Sequence, residues 1–344
     1  MINVFTEKKK KLSDASELRH DILRNEWVII SQKRGKRPDD FIESEKQKYD
    51  PESDVFANPE KTGQEKDVLI YKDEKDQWTT RVFPNKFPVV SRLKKGEKKE
   101  DLSEGPYQSM TGVGNHEVVV TRDGKKIFAL LEQNELAEVI DAYRERYVEL
   151  MNGENIGSIS IFHNHGEKAG ASIIHPHSQI IALPVTSPAV MREIEKCREY
   201  KQKTNENLFD VIAEHELDRG TRVVYVNDKF MVYCPFASSR AYQMRILPRE
   251  SKPYFERMSE TEQMLLADAL SKSLKALYNT LDDPDFNYYL RTAPCDGQVY
   301  QEYSFHIDVF PRTHVYAGFE FATDMEIVPV SPENAAKQLR NSIK

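Results

Sequence analysis

Residues 170–181 read Gly170-Ala171-Ser172-Ile173-Ile174-His175-Pro176-His177-Ser178-Gln179-Ile180-Ile181. Successive side chains of an extended strand point to opposite faces of its sheet. His175, His177 and Gln179 are therefore predicted to share one face of a strand over residues 172–183. Two imidazoles and an amide in one row are costly to bury unless a partner or ligand satisfies them. The segment thus predicts a strand that carries a polar site.

The histidine strand closes the first of two stretches that repeat the same order of elements. The predicted order is strand, helix, strand, strand, and the second copy opens its helix with a Ser259/Glu262 capping box. The predicted elements are strand 117–121, helix 134–151 and strands 158–163 and 172–183, then strand 243–247, a helix after Ser259 and strands 287–291 and 303–310. A further helix is predicted after Ser331-Pro332. The pattern indicates a duplicated unit, with His177 ending one copy and His306 the other.

Composition excludes several classes of protein. The 344 residues include 56 acidic and 49 basic side chains, a net charge of −7 that argues against a general nucleic-acid binder. The 39% hydrophobic content is typical of a packed globule. No apolar run approaches the roughly 20 residues that cross a bilayer, so a cytoplasmic protein without membrane partners is expected. The three cysteines lie far apart, which predicts neither a disulfide framework nor a cysteine-based zinc site.

The His-x-His pair allows two chemical interpretations beside two buried structural histidines. Paired imidazoles on a strand can bind a metal ion. One imidazole can instead be a nucleophile, if one ring nitrogen keeps its lone pair while the other donates to a fixed acceptor. Gln179 can then donate to a phosphoryl oxygen, a contact worth about 2.7–4 kcal/mol in comparable oxyanion sites. The polar loop at residues 164–170 contains two glycines, and its backbone N–H groups are predicted to approach a phosphate.

The motif around these residues resembles the active-site motif of the galactose-1-phosphate uridylyltransferase family, in the histidine-triad superfamily that also holds ADP-glucose phosphorylases and diadenosine-tetraphosphate phosphorylases. Residues 21–38 resemble the family's opening strand and arginine turn, residues 81–88 its nucleotide-binding segment, and residues 317–320 its late sugar-contacting segment. The resemblance implies an α+β fold of two tandem histidine-triad-like halves, residues 1–189 and 190–344. Each half is expected to be a mainly antiparallel sheet with packed helices, and together they form one pseudo-symmetric unit.

Position by position, the resemblance implies a role for each matching residue. His177 would attack the α-phosphorus of a nucleoside diphosphate sugar, and Gln179 would steady the phosphoryl oxygens. A sugar 1-phosphate would leave, and a second would take the nucleotide in a ping-pong reaction. The implied substrate contacts are Arg34 and Arg37 for phosphates, Asn85 and Phe87 for the nucleoside, Asn164, Ser172 and His175 around the diphosphate, and Gly318, Phe319 and Glu320 for the sugar.

The zinc ligands of the family are mostly absent here. Many members hold zinc with a Cys-x-x-Cys pair, a later histidine and the first histidine of the motif. In this sequence the two cysteine positions align with Asp54 and Ala57, residues 122–124 contain no histidine, and His175 alone remains. We therefore expect no zinc and predict that His175 donates to a backbone or side-chain acceptor.

The iron ligands of some members, a glutamate and three histidines, are also incomplete. Glu193 and His306 occupy two of the positions, but Ser304 and Arg291 replace the other two histidines. The sequence thus predicts no metal and no cofactor, in a divergent branch of the family. Ser178 between the nucleophile and Gln179 is more similar to the branch with ADP-glucose phosphorylases, although one residue does not separate uridine from adenine.

Three functions are compatible with these residues. The first is a nucleotidyltransferase that works on a nucleotide sugar and a sugar phosphate through covalent His177, as in UDP-hexose exchange. The second is a phosphorylase or hydrolase that passes the nucleotide to phosphate or water. The third is a nucleotide-binding protein without turnover. The resemblance also suggests a homodimer.

Overall fold

The computed structural model describes residues 16–33, 49–93, 99–154 and 156–343, which form an α+β fold. The strands of this part of the chain are β1 Glu17–Asp21, β2 Glu26–Ile30, β3 Leu69–Lys72, β4 Trp78–Pro84, β5 Asn115–Thr121, β6 Ser158–His165, β7 His177–Leu183, β8 Val223–Val226, β9 Phe230–Tyr233, β10 Met244–Pro248, β11 Phe286–Arg291, β12 His306–Pro311 and β13 Glu326–Val328. The helices are α1 Gln133–Met151, α2 Pro188–Thr204, α3 Leu208–Arg219, α4 Glu260–Leu281, α5 Gly318–Thr323 and α6 Pro332–Ser342. No helix within these ranges is long and apolar enough to cross a membrane.

One large sheet joins the two predicted copies. Its strand order is β3-β4-β5-β7-β6-β11-β12-β10-β9-β8, and every neighbouring pair is antiparallel. The copies β5-α1-β6-β7 and β10-α4-β11-β12 meet where β6 pairs with β11. The duplication and the pseudo-symmetric α+β unit are therefore confirmed.

The helix patterns are confirmed at residue level. The side chains predicted to form one face of α1 are all buried, namely Leu136, Val139, Ile140, Tyr143, Tyr147 and Leu150. The α4 helix begins after Ser259, which accepts a hydrogen bond from the Glu262 N–H in the predicted capping box. Ser331 caps α6 in the same way, with Pro332 in its first turn. Apolar faces of α1 and α4 thus cover one side of the sheet and form the main core with it.

Both histidine strands are shorter than predicted. The first begins at His177 rather than at residue 172, and the second begins at His306 rather than at residue 303. Residues 172–175 form bends, and Pro176 has no N–H to give to a neighbouring strand. His175 consequently lies outside the strand, and the predicted row of three side chains reduces to His177 and Gln179.

The opposite side of the sheet is covered unevenly. In the second copy, α2 and α3 pack over it and build an apolar cluster with Ile194, Phe209 and Tyr303. In the first copy, a smaller cluster around Phe56 and Phe83 lies beside His177. The first copy therefore keeps a polar stretch of this face that the second copy closes.

Candidate active site

His177 is held in one tautomer by the backbone. Its Nδ1 lies 2.8 Å from the carbonyl oxygen of His175, and a carbonyl only accepts, so Nδ1 carries the proton. Burial lowers the pKa of His177 and keeps the ring neutral. Among the described residues Nε2 of His177 has no hydrogen-bond partner. The ring thus presents an unprotonated nitrogen, which is the requirement for a nucleophilic imidazole.

Gln179 lies on the same face of β7 as His177. Its Oε1 is 2.8 Å from Nε2 of His116 on β5. Within the described ranges its amide nitrogen has no protein partner, so two N–H donors remain beside His177. Sequence reasoning did not single out His116, because the contact joins residues 63 positions apart.

Asn164 completes a polar row across the middle of the sheet. It lies one position beyond the His163–Ser178 pair of β6 and β7, which places it beside His177. Its Oδ1 accepts a 2.7 Å hydrogen bond from Nδ2 of Asn287, whose Oδ1 accepts from Nε of Arg312 at 2.6 Å. The second copy thereby brings a cation toward His177. This contact could not be predicted from the sequence, because Arg312 follows a strand without any motif.

His175 is fully engaged within the protein. Its Nδ1 lies 2.8 Å from Oδ2 of Asp54 and its Nε2 lies 2.6 Å from the carbonyl oxygen of Thr121. The predicted hydrogen bond from His175 to a backbone or side-chain acceptor is confirmed, because each ring nitrogen faces an acceptor oxygen. With no ring nitrogen left over, the imidazole of His175 is not available to bond a diphosphate, and its carbonyl instead orients His177.

Asp54 anchors this contact from the other side. Its carboxylate also accepts from the Tyr49 hydroxyl at 2.6 Å and from the backbone N–H of Phe56 at 2.9 Å. Burial would raise the pKa of Asp54, but the hydrogen bonds from Tyr49 and His175 outweigh it and lower that pKa. Gly124 packs so closely that a Cβ there would lie 2.7 Å from Oδ2 of Asp54. We call Tyr49, Asp54, His175 and the Thr121 carbonyl the aspartate clamp.

The aspartate clamp does not fit a zinc ion. A structural zinc site is almost always tetrahedral, with about four ligands drawn from thiolates, imidazoles and carboxylates. The clamp offers one carboxylate, and both nitrogens of His175 already face oxygen acceptors within the protein. No group of three or more histidine, cysteine or acidic side chains within the described ranges is arranged to hold a metal ion.

The residues at the iron positions do not fit a metal either. The guanidinium of Arg291 pairs with Oε1 of Glu193, and the hydroxyl of Tyr303 donates to Oε2 at 2.8 Å. His306 lies nearby, with Nε2 3.9 Å from Oε2 of Glu193. Ser304 contributes its carbonyl to Nδ1 of His306, 3.1 Å away. An arginine cation therefore already occupies the charge-balancing position next to the glutamate.

The predicted phosphate-binding role of the loop N–H groups is wrong for four of them. The N–H groups of Ala169 and Ala171 donate to the Gly166 carbonyl, that of Gly170 to the Glu167 carbonyl and that of Lys168 to Asp285 at 2.7 Å. Gly166 adopts a φ of +84°, and a Cβ there would lie 2.2 Å from the Asp285 carboxylate. The glycine thus serves a tight turn onto Asp285 rather than close approach to a phosphate.

The predicted nucleoside residues lie on the loop after β4. The side chain of Asn85 caps this loop, because its Oδ1 accepts from the N–H of Phe87 at 2.9 Å, and its own N–H donates to the His116 carbonyl. Phe87 is 81% exposed, which excludes a core aromatic role. Ser172 is also exposed, whereas Arg34 and Arg37 lie outside the described residues.

The predicted sugar residues form the first turn of α5. The carboxylate of Glu320 accepts from the Ala317 N–H at 3.1 Å, and Phe319 is half-exposed. Among the described residues, no hydrogen bond joins this turn to β7. The turn leads into β13 of the three-stranded sheet β1-β2-β13, whose Arg19 contacts Glu333 and Phe236 of the second copy. No contact in the described part of the chain therefore links these predicted sugar residues to His177.

Ser178 faces away from the polar row. Its hydroxyl bonds the hydroxyl of Tyr143 on α1 and lies 3.4 Å from that of Tyr288. This network belongs to the core between the sheet and the helices. The Ser178 side chain therefore takes no part in the polar row of His177 and Gln179.

Two cavities lie on the large sheet. One of about 240 Å³ is lined by Asn164, Ile173 and Pro176, next to the start of β7. A larger one of about 410 Å³ opens at the other ends of β6 and β7, near Ser158 and Leu183. The smaller cavity includes Asn164 of the polar row in its lining, and the larger one includes Phe162, which pairs in register with Gln179.

Comparisons with known proteins agree with this geometry. The family model described as galactose-1-phosphate uridyl transferase, N-terminal domain, matches residues 6–186, and a domain of unknown function (DUF4921) matches residues 131–344. An ADP-glucose phosphorylase of Arabidopsis thaliana is 28% identical over 337 residues, which cover 95% of this chain and 93% of that protein. A galactose-1-phosphate uridylyltransferase of Thermotoga maritima is 28% identical over 339 residues, covering 95% and 98%.

A solved structure of the Arabidopsis thaliana ADP-glucose phosphorylase with bound ADP-glucose superposes with a TM-score of 0.81. It is 26% identical and covers 95% of this chain and 99% of that one. The family model spans more than half of the chain, and the fold agrees over nearly its full length. The chain belongs to the galactose-1-phosphate uridyl transferase family.

Proposed function

We propose that the protein transfers a nucleoside monophosphate between a nucleoside diphosphate sugar and a sugar 1-phosphate, with UDP-hexoses as substrates, through a covalent nucleotidyl-His177. The observation that carries the proposal is the fixed tautomer of His177, with Nδ1–H on the His175 carbonyl and Nε2 unprotonated. A neutral imidazole so oriented can attack phosphorus without first losing a proton.

Neither half-reaction of the proposed transfer requires an external acid or base. The Nε2 lone pair forms a bond to the α-phosphorus while the bond from phosphorus to the β-phosphate oxygen breaks. The sugar 1-phosphate leaves with that electron pair, and the imidazole becomes cationic with its Nδ1–H still on the carbonyl. In the second half-reaction a phosphate oxygen of the acceptor forms a bond to the α-phosphorus. The N–P bond breaks, and its electron pair returns to Nε2.

The surrounding residues supply binding and electrostatic stabilisation in this proposal. Gln179 donates its amide to the α-phosphoryl oxygens as charge develops, and Asn164 and Ser172 contact the diphosphate. Arg34 and Arg37 bind phosphates through guanidinium geometry. Arg312, which reaches this region through Asn287, adds positive charge. His175 acts as a positioning residue rather than as a substrate contact.

The nucleoside is assigned to the Asn85 loop. Phe87 is a large apolar side chain held in solvent by a capped loop, as expected for a ring on which a base stacks. Gly318, Phe319 and Glu320 remain the candidates for the sugar contacts. We assign the protein to the cytoplasm, without a metal or other cofactor.

A phosphorylase is the second candidate, because the relative named ADP-glucose phosphorylase matches over nearly the whole chain. In that reaction inorganic phosphate replaces the sugar 1-phosphate as acceptor. The two functions share the first half-reaction and differ only in the second.

The test separates the half-reactions. The protein is incubated with UDP-glucose or ADP-glucose labelled in the α-phosphate, and the acid-labile protein-bound label is counted. Galactose 1-phosphate, inorganic phosphate or buffer is then added and the products are separated. Release by galactose 1-phosphate supports the transferase and release by phosphate the phosphorylase. Absence of label with both nucleotide sugars, in a protein that still binds them, identifies a binding protein and contradicts the proposal.

A further inference from the structure

His116 is a buried side chain that lies outside every motif of the sequence. It lies on β5, the strand next to the nucleophile strand, and is 5% exposed. Its Nε2 is 2.8 Å from Oε1 of Gln179, and its Nδ1 lies 3.2 Å from the backbone nitrogen of Val89. One imidazole thus bridges β7 and the loop that carries Asn85 and Phe87.

The backbone N–H of Val89 decides the tautomer of His116. A peptide N–H only donates, so Nδ1 of His116 accepts and is unprotonated. The proton of the neutral ring is then on Nε2, which donates to Oε1 of Gln179. Nδ2 of Asn85 also lies 3.2 Å from Nε2, but two donors face each other there and this contact is not a hydrogen bond. Burial, which outweighs the hydrogen bond to Gln179, lowers the pKa of His116 and favours the neutral ring.

The tautomer of His116 in turn decides the orientation of Gln179. If the amide of Gln179 were rotated by half a turn, its N–H groups would face the N–H of His116. The hydrogen bond therefore excludes that rotamer and leaves the amide nitrogen, which has two N–H donors, free to face the ligand. A fixed donor loses no orientational freedom when charge develops on a phosphoryl oxygen.

We propose that His116 is a positioning residue that holds Oε1 of Gln179, so that the Gln179 amide nitrogen faces the phosphoryl group transferred to His177. The inference rests on the proposed function and adds to it a residue that never touches the substrate. It also connects the two ends of the bound nucleotide, because His116 fixes the Asn85–Val89 loop through its Nδ1 and its carbonyl.

Two substitutions at position 116 separate positioning from structural support. His116→Gln places an amide N–H at the distance of Nε2 and can still donate to Gln179. His116→Asn retains a polar group near Nδ1, toward Val89, but is too short to reach Gln179. We expect His116→Asn to slow formation of the nucleotidyl adduct from labelled UDP-glucose or ADP-glucose by about 10-fold to 100-fold. We expect His116→Gln to remain within about threefold of the wild type, with the dissociation constant of the nucleotide sugar similar in all three proteins.

A double-mutant cycle with Gln179→Leu provides the second readout. If His116 acts through Gln179, His116→Asn causes no further loss once the amide is removed. The inference is overturned if His116→Asn reacts at the wild-type rate, if Gln and Asn at position 116 slow the reaction equally, or if the loss is undiminished in the Gln179→Leu background. A wild-type protein that forms no adduct with either nucleotide sugar would instead overturn the proposed function, and the inference with it.

The tautomer can be measured without activity. In ¹⁵N-histidine-labelled protein, the signal lost in His116→Gln identifies His116, and its nitrogen shifts are expected to show a protonated Nε2 and an unprotonated Nδ1. A proton on Nδ1 of His116 would contradict the inference. This measurement uses the wild-type protein, so its result does not depend on the stability of the kinetic variants.

Discussion

The two histidine strands have the same backbone arrangement and opposite surroundings. His177 donates its Nδ1–H to the carbonyl two residues earlier at 2.8 Å, and His306 does the same at 3.1 Å. Two positions further on, β7 carries Gln179 and β12 carries Asp308. On the neighbouring strands, Gln179 pairs in register with Val118, whereas Asp308 pairs with Arg245.

These neighbours determine what each imidazole can do. Arg245 forms two hydrogen bonds of 2.8 and 2.9 Å with Asp308, and the Arg291–Glu193 pair lies on the other side of His306. The α2 and α3 helices cover this cluster, and burial together with Arg245 lowers the pKa of His306 to about 4. In the first copy the apolar Val118 forms no ion pair with Gln179, and among the described residues the Gln179 amide nitrogen has no hydrogen-bond partner. The same strand motif thus yields a candidate nucleophile where the neighbours leave room, and a closed ionic core where arginines fill it.

The largest difference between the two copies should appear on removal of each imidazole. We expect His177→Asn to lower the rate of adduct formation by at least about 10⁴-fold, because it removes the attacking atom. The matched variant His306→Asn should retain adduct formation within about tenfold of the wild type and lower the melting temperature. Rates of label incorporation and thermal unfolding measure both. Equal loss of labelling in the two variants would remove the distinction between the copies.

In the second copy, whose histidine strand is covered by α2 and α3 and which we call the closed copy, removal of a charge should mainly lower the stability of the fold. We expect Glu193→Gln to lower the free energy of unfolding by about 3–5 kcal/mol, because it leaves the Arg291 cation buried without its partner. The double variant Glu193→Gln with Arg291→Met should regain a large part of that loss, since no unpaired charge remains. Urea unfolding of the three proteins provides the measurement. A Glu193→Gln variant as stable as the wild type would show that the cluster is not a structural ion pair.

The aspartate clamp belongs to the first copy, which we call the open copy because α2 and α3 do not cover its histidine strand. The clamp should affect both the stability of the protein and the rate of adduct formation. We expect Asp54→Ala to lower the free energy of unfolding by about 1–3 kcal/mol, because both the Tyr49 hydroxyl and His175 lose a buried acceptor. It should also slow adduct formation, because His175 no longer fixes the carbonyl that orients His177. Asp54→Asn, which keeps an acceptor oxygen, is the matched control. It should retain more of the stability and more of the rate of adduct formation than Asp54→Ala. An Asp54→Ala protein with normal adduct formation would separate the clamp from the nucleophile.

The same clamp predicts the response to chelators. Since its residues offer no set of ligands for zinc, incubation with an excess of EDTA should change neither the melting temperature nor the rate of adduct formation. Thermal scans and labelling before and after chelation, with metal analysis of the purified protein, make the comparison. A loss of stability on chelation that added zinc restores would show that a metal holds this region.

Much of the fold could be predicted from the sequence, because it depends on local signals. The apolar face of α1, the capping box of α4 and the alternation around His177 lie within one helix or strand, where spacing alone determines which side chains share a face. Family resemblance located His177 and Gln179 and identified the missing zinc thiols.

The contacts that organise the site could not be predicted in this way. The His116–Gln179, Asp54–His175 and Asn164–Asn287 hydrogen bonds join residues far apart in sequence. Strand register brings the first and third pairs together, and the fold of the loop that carries Asp54 brings the second together. The loop N–H groups were misassigned because glycine content indicates a turn but does not indicate which carbonyl the turn satisfies. The strand start at His177 could not be predicted because the alternation of side chains extends back to Ser172, and a proline without an N–H is compatible with an edge strand as well as with a bend.

The smallest effect expected concerns pH. Burial lowers the pKa of four histidines, His116, His163, His177 and His306. A histidine whose pKa is lower in the folded than in the unfolded state favours unfolding as pH falls below its ordinary value near 6.5. The urea midpoint should therefore be lower at pH 5 than at pH 7.5. Buried aspartates with a lowered pKa, such as Asp54 and Asp308, lose their stabilising contribution only as pH falls below about 4, outside this window.

A variant from the core tests the cause of this pH effect. His163 stacks on Phe128 with ring centroids 4.2 Å apart, so His163→Phe can keep the packing without a titratable ring. The decrease in midpoint from pH 7.5 to pH 5 should be smaller in this variant. An unchanged decrease would show that His163 does not contribute to the pH dependence.

The central claim is that only the open histidine strand forms the covalent intermediate. The most direct measurement is to trap the nucleotidyl adduct at high pH after brief incubation with a nucleotide sugar, digest the protein and locate the added nucleotide by tandem mass spectrometry. We predict one modified peptide, with the nucleotide on His177. An adduct on His306 or on another residue, or turnover of nucleotide sugar with no adduct at all, would contradict the account.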